Sequence, residues 1–203
     1  MTWRVVLTGP ECSGKTTLAR AFAAHFDAPW VPEASRAYAE ARGGVLSADD
    51  VEPIALATRA ALRRAADAGP AVLVADTDLV STLVYARAYY GACAAWIAAA
   101  AREELADLYL LCAPDLPWEA DGVRDRPDDQ DRWAMHRAFA ETLAALGARV
   151  VPVDGLGAAR TARALRTVIA AAPPAAPPAA PPAAPTDAQP DASLASLAGG
   201  GVA

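Results

Sequence analysis

The feature that most constrains this chain is the junction between two patterns near its start. "WRVVLT" (Trp3 to Thr8) is a short continuous apolar run, as in a buried strand. "GKTTLARAFAAHF" then sets Leu18, Ala21, Phe22 and Phe26 at helical spacing. Between them Gly9-Pro10-Glu11-Cys12-Ser13-Gly14-Lys15-Thr16 satisfies G-x-x-x-x-G-K-[ST]. A glycine-rich turn that leaves a strand and opens a helix curls its backbone N–H groups around an anion, and the helix N-terminus adds partial positive charge. The expected cradle is Gly9, Glu11, Cys12, Ser13, Gly14, Lys15, Thr16 and Thr17. It would hold the phosphates of ATP, with Lys15 at the β- and γ-phosphates and the Thr16 hydroxyl on Mg²⁺. Lys15 is the only lysine among 203 residues, and a compact ammonium enters a tight backbone loop where a planar guanidinium does not. Cys12 is either an activated thiol near a helix N-terminus or a small residue in a variable slot.

The remainder alternates strand and helix. "PWVPE" (Pro29 to Glu33), "AVLVAD" (Ala71 to Asp76), "DLYLLCA" (Asp107 to Ala113) and "ARVVPVD" read as further strands. Helical patterns run from Ala34 to Arg42, Ser47 to Ala68, Leu79 to Leu105 with a break near Gly91, Gln130 to Leu146, and Ala158 to Ala171. Ser47 has the character of an N-cap. Continuous apolar strands alternating with helices imply a parallel sheet covered on both faces, with the site at the carboxyl edge.

That edge collects the candidate chemistry. Asp76 ends the third strand as a Walker-B aspartate would, serving the Mg²⁺ shell. Asp78 either reaches the acceptor or metal, or caps the following helix. Glu33 ends the neighbouring strand, where a general base could face the γ-phosphate, and Arg36 lies one turn on. "DGVRDRPDDQDRW" sets Arg124, Arg126 and Arg132 on a polar connection. Such a loop either closes its guanidinium groups over a transferring phosphoryl or is a solvated connection. A kinase needs an acceptor pocket, a base and exclusion of water; a motor or switch needs only oriented water.

A formal net charge of −6 argues against a broad nucleic-acid-binding face. Cys12, Cys93 and Cys112 lack metal-ligand or disulfide spacing, and His25 and His136 form no zinc pattern. No leader pattern or membrane-length apolar run is present, so a cytoplasmic protein with no membrane partner is expected. From Pro173, "APPAAPPAAPPAAP" gives way to a small-residue tail. We expect a kinase domain over residues 1–172 and a polyproline-II-like or disordered tail over 173–203, either passive or a ligand for a partner domain.

In the same order, "GPECSGKTTLA", "VPEASRAY", "DTDLVSTLVYA" and "DLYLLCAPDLPWEADGVRD" closely resemble the ribosylnicotinamide kinase domain of NadR-type proteins, from about Arg4 to Ala170. The resemblance implies a P-loop NTPase three-layer α/β sandwich like the deoxynucleoside kinases, its five parallel strands in order 2-3-1-4-5. It implies transfer of phosphate from ATP to nicotinamide riboside, giving nicotinamide mononucleotide in NAD salvage. The chain begins at the kinase strand and has no H-x-G-H signature, so neither adenylyl transfer nor a repressor role is expected of it. A pyridinium acceptor wants an aromatic plate and carboxylates. Trp118, beside Asp115, Glu119 and Asp121, is the first choice for the plate, with Tyr38 and Tyr85 nearby. Glu33 is the preferred base and Asp78 a ribose or metal contact, with the roles exchangeable. A kinase for another nucleoside or small alcohol and a P-loop ATPase switch stay as alternatives.

Overall fold

Side-chain alternation along the strands builds the layers. The computed structural model describes residues 1–120 and 126–174. Its five parallel strands are β1 (Trp3–Thr8), β2 (Trp30–Val31), β3 (Val72–Asp76), β4 (Leu108–Cys112) and β5 (Val150–Val153), in the order β2-β3-β1-β4-β5. Successive strand residues point to opposite faces. Val5, Leu7, Val74 and Leu110 therefore pack with Leu18 and Phe22 of α1 (Lys15–Phe26) and Val168 of α7 (Gly157–Ala171). Val6, Leu73, Ala75 and Leu111 join the opposite core, with α3 (Val51–Asp67), α4 (Leu79–Tyr90), α5 (Ala95–Glu103) and α6 (Asp129–Leu146). Every residue of β3 and β4 is buried, which is why these strands read as unbroken apolar runs. The expected three-layer α/β P-loop sandwich and its strand order are those the chain adopts.

Two boundaries differ from the sequence reading. β2 has only two paired residues, Trp30 and Val31, because Pro29 and Pro32 flank them and lack the N–H a ladder needs. Ser47 does cap, its N–H and hydroxyl both donating to Asp50 Oδ2 at 2.8 and 2.9 Å, but a 3₁₀ turn (Ala48–Asp50) precedes α3. The break expected near Gly91 is present: α4 ends where Gly91 takes φ 73° and closes the last turn onto Arg87 O. A short α2 (Ala34–Ala41) follows β2.

β1 lies between β3 and β4, so chain crossovers leave it in opposite directions, and the crevice sits at their carboxyl ends. No helix among the described residues is long and apolar enough to cross a membrane.

Candidate active site

The loop from Gly9 to Thr16 is shaped by close approaches. At Gly9 (φ 128°) a Cβ would lie 2.6 Å from Cys112 O, so only glycine lets the loop leave β1 pressed against the end of β4. Gly14, at φ 76°, is the N-cap of α1. Ser13 Oγ donates to Pro10 O at 2.6 Å, and Lys15 Nζ donates to the same carbonyl at 2.8 Å. The lysine ammonium is thus folded into the loop, where it is 7% exposed. Cys12 has φ 53°, and its thiol donates to Pro117 O (3.2 Å) and accepts from the Glu119 N–H (3.3 Å). The thiol therefore ties the loop to the segment after β4.

At the other end of the loop, Thr16 Oγ1 donates to Asp76 Oδ2 at 2.5 Å. Asp76 Oδ1 is buried and has no hydrogen-bond partner. Burial raises the Asp76 pKa above the usual carboxylate range; Glu33 pushes it up further, and Lys15 and the Thr16 hydroxyl oppose the shift. An orphaned carboxylate oxygen beside a threonine hydroxyl at a helix N-terminus fits Mg²⁺, which keeps waters and takes nucleotide oxygens rather than an all-protein cage. No group of three or more His, Cys, Asp or Glu among the described residues is placed to hold a metal.

Next to this corner opens a cleft with about 370 Å³ of free space. Glu33, Ser35 and Arg36, at the start of α2, form one wall; Ser81, Thr82, Tyr85 and Tyr89, on α4, form another; Glu11 enters from the loop. Ser35 Oγ donates to Glu33 Oε1 at 2.9 Å. Burial raises the Tyr85 hydroxyl pKa well above its usual value, and the charges of Glu33 and Glu11 add to the shift. Tyr85 and Tyr89 stand 6.0 Å apart. Thr77, at the cleft floor, has φ 74°. A β-branched residue in that region is strained and is held by its surroundings, here by its N–H donating to Leu7 O at 3.0 Å. The walls offer carboxylate acceptors for hydroxyl groups and π-faces for a flat ring.

A protein-family model described as an AAA domain matches residues 4–160. The chain belongs to that family. The AAA domain is also 31% identical over 143 residues to the "Trifunctional NAD biosynthesis/regulator protein NadR" of Salmonella typhimurium and 29% identical to that of Escherichia coli. Each match covers 68% of this chain, which spans only 35% of the length of either relative. Among solved structures it is similar to NadR protein in complex with NR, at TM-score 0.65 and 25% identity over 82% of this chain and 50% of that one. Thymidylate kinase from Ehrlichia chaffeensis shares the fold alone, at TM-score 0.60 and 12% identity over 82% of this chain and 98% of that one. The fold is that of P-loop kinases, and the resemblance to NadR holds.

Within this AAA domain several expected residues lie elsewhere. Asp78 does not line this cleft and takes the second of its two expected roles. Its Oδ1 accepts the Val80 N–H at 2.9 Å and its Oδ2 the Tyr109 hydroxyl at 2.5 Å, so it caps α4 and anchors it to β4. The cause is Thr77: its left-handed backbone turns the chain so that the next side chain points back into the protein. Trp118, the expected acceptor plate, is not among the residues that line this cleft. Its ring lies 5.8 Å from the Arg132 guanidinium, in the segment tied to the phosphate loop. Tyr85, Tyr89 and Tyr90 supply the aromatic lining of the cleft instead. Tyr38 is turned toward the Arg42 guanidinium, 5.3 Å from its ring, and is not part of the cleft lining.

Arg132 is 2% exposed, with Nη1 donating to Leu116 O at 3.2 Å and Nη2 to Asp129, so it braces the segment after β4. Arg126 reaches Tyr89, its Nε donating to the phenol oxygen at 2.9 Å. Arg124 and Asp121 lie outside the described residues. Sequence reasoning missed Thr77, Ser81, Tyr89 and, beneath the loop, Arg160.

Proposed function

We propose that this AAA domain is a Mg²⁺- and ATP-dependent kinase that phosphorylates the ribose 5′-hydroxyl of nicotinamide riboside, forming nicotinamide mononucleotide. The observation that carries the reading is the cleft beside the phosphate loop, acidic at Glu11 and Glu33 and aromatic at Tyr85 and Tyr89. A pyridinium nucleoside is complementary to that lining: the rings meet the cationic plane and the carboxylates meet its charge and its hydroxyl groups. The likeness to NadR, one structure of which holds NR, supports the same acceptor. The catalytic unit is residues 1–172, and 173–203 are accessory to it.

In this reading the loop amides and Lys15 bind the β- and γ-phosphates, Lys15 giving up its contact with Pro10 O. Thr16 and Asp76 hold Mg²⁺, which when bound offsets the charge on the phosphate oxygens. Glu33 accepts the proton of the 5′-hydroxyl as its oxygen bonds to the γ-phosphorus and the bond to the ADP oxygen breaks. Because the transition state is loose, the base needs only to be within reach and ionised. Arg36 and Arg126 lie at the cleft and supply positive charge toward the transferring group.

The experiment is an acceptor panel. The full chain is incubated with Mg²⁺-ATP and each of several nucleosides and small alcohols, and ADP release is followed. Release that requires nicotinamide riboside is expected. Release with another acceptor alone would move the chain to a different nucleoside or alcohol kinase. Release independent of any acceptor would make it an ATPase switch.

A further inference from the structure

Arg160 is 4% exposed, and no part of the mechanism above uses it. It projects from the first turns of α7 to the underside of the phosphate loop. Nη2 donates to Ser13 O at 2.8 Å and to Ala113 O, just past β4, at 3.2 Å. Nη1 donates to Gly155 O at 2.8 Å and to Asp115, whose other oxygen accepts the Gly155 N–H at 2.6 Å. One guanidinium thus joins the phosphate loop, the end of β4 and the turn before α7.

The contact with Ser13 has a consequence for its neighbour. In a trans peptide the carbonyl of one residue and the N–H of the next point in opposite directions. No cis peptide occurs among the described residues. A Ser13 carbonyl drawn onto Arg160 therefore turns the Gly14 N–H away from Arg160, toward the side on which a phosphate loop holds its anion. Gly14 has no Cβ to set its own orientation, so the peptide needs an outside restraint.

We propose that Arg160 is a positioning residue for nucleotide binding: by gripping the Ser13 carbonyl it presents the Gly14 N–H to the nucleotide's β-phosphate. This rests on the loop binding a nucleotide and not on which acceptor is phosphorylated, so an acceptor panel that fails leaves it intact. A lysine offers a point charge without the planar fork and cannot span Ser13, Ala113 and Gly155 together.

The test compares ADP and AMP binding by titration calorimetry in the full chain, with thermal unfolding recorded for each variant. Arg160→Met is expected to weaken ADP at least about tenfold and AMP less than about threefold, the loss falling on the β-phosphate. Arg160→Lys should recover part of the ADP affinity. If Arg160→Met does not fold, Arg160→Lys alone should still weaken ADP selectively. Asp115→Asn keeps the carbonyl contacts of Arg160 and should bind ADP nearly as the unmodified chain does. ADP and AMP weakened in parallel, full recovery with lysine, or a loss in Asp115→Asn as large as in Arg160→Met would each overturn the assignment.

Discussion

A carboxylate buried at the end of β3 costs the fold stability whenever it is ionised. The folded chain holds the Asp76 proton more tightly than the unfolded chain does, so this stabilising contribution is present at low pH and is lost as pH rises through the raised pKa. Asp76→Asn keeps an oxygen for the Thr16 hydroxyl and removes the charge. It should unfold at a higher temperature than the unmodified chain near neutral pH, with the gap narrowing toward about pH 4, while magnesium-dependent turnover is lost. Thermal unfolding across pH together with ADP release checks both; equal unfolding temperatures near neutral pH would contradict the burial argument. Lys15→Ala removes the loop's ammonium without touching the core, and turnover should fall by about a hundredfold or more with the fold retained. Gly9→Ala, by contrast, drives a Cβ to 2.6 Å from Cys112 O and should destabilise the chain by about 2 kcal/mol or more, read from denaturant unfolding.

α4 carries the clearest test at the level of elements, since it forms one cleft wall and hangs from Asp78. Asp78→Ala removes a cap and leaves the Tyr109 hydroxyl without its acceptor, a loss of about 1–3 kcal/mol; Asp78→Asn should retain turnover, which a catalytic carboxylate would not. The opposite walls divide the chemistry. Glu33→Gln should lower kcat by about a hundredfold or more and leave ATP binding unchanged. Tyr85→Ala should raise the acceptor KM more than Trp118→Ala does.

The phosphate loop and the Thr16–Asp76 corner were readable because a motif and the end of an apolar strand fix residues locally. Asp78 was legible only as a choice between a site contact and an N-cap, and composition does not reveal the left-handed backbone at Thr77 that precedes the observed cap. Trp118 lies on a segment without periodicity and Tyr38 on a short, half-buried helix, so their direction follows from contacts with Arg132 and Arg42. Arg160 left a signal that passed unread: it shares the buried face of α7 with Ala164 and Val168, at spacings of four.

In the whole molecule, two helical layers hold the carboxyl ends of β1, β2 and β3 in one place, and the candidate groups reach the cleft from the phosphate loop, the start of α2 and α4. We propose that residues 1–172 suffice for catalysis. Deleting Pro173 to Ala203 should leave kcat and both KM values unchanged; lost activity would make that segment part of the catalytic unit. The account as a whole rests on one event, movement of the γ-phosphoryl group from ATP to a nucleoside hydroxyl held between α2 and α4. Phosphorus NMR of a reaction with Mg²⁺-ATP and nicotinamide riboside tests it most directly. The account predicts a new monoester signal coupled to the ribose 5′ protons, growing in step with ADP. ADP accompanied only by inorganic phosphate would contradict it.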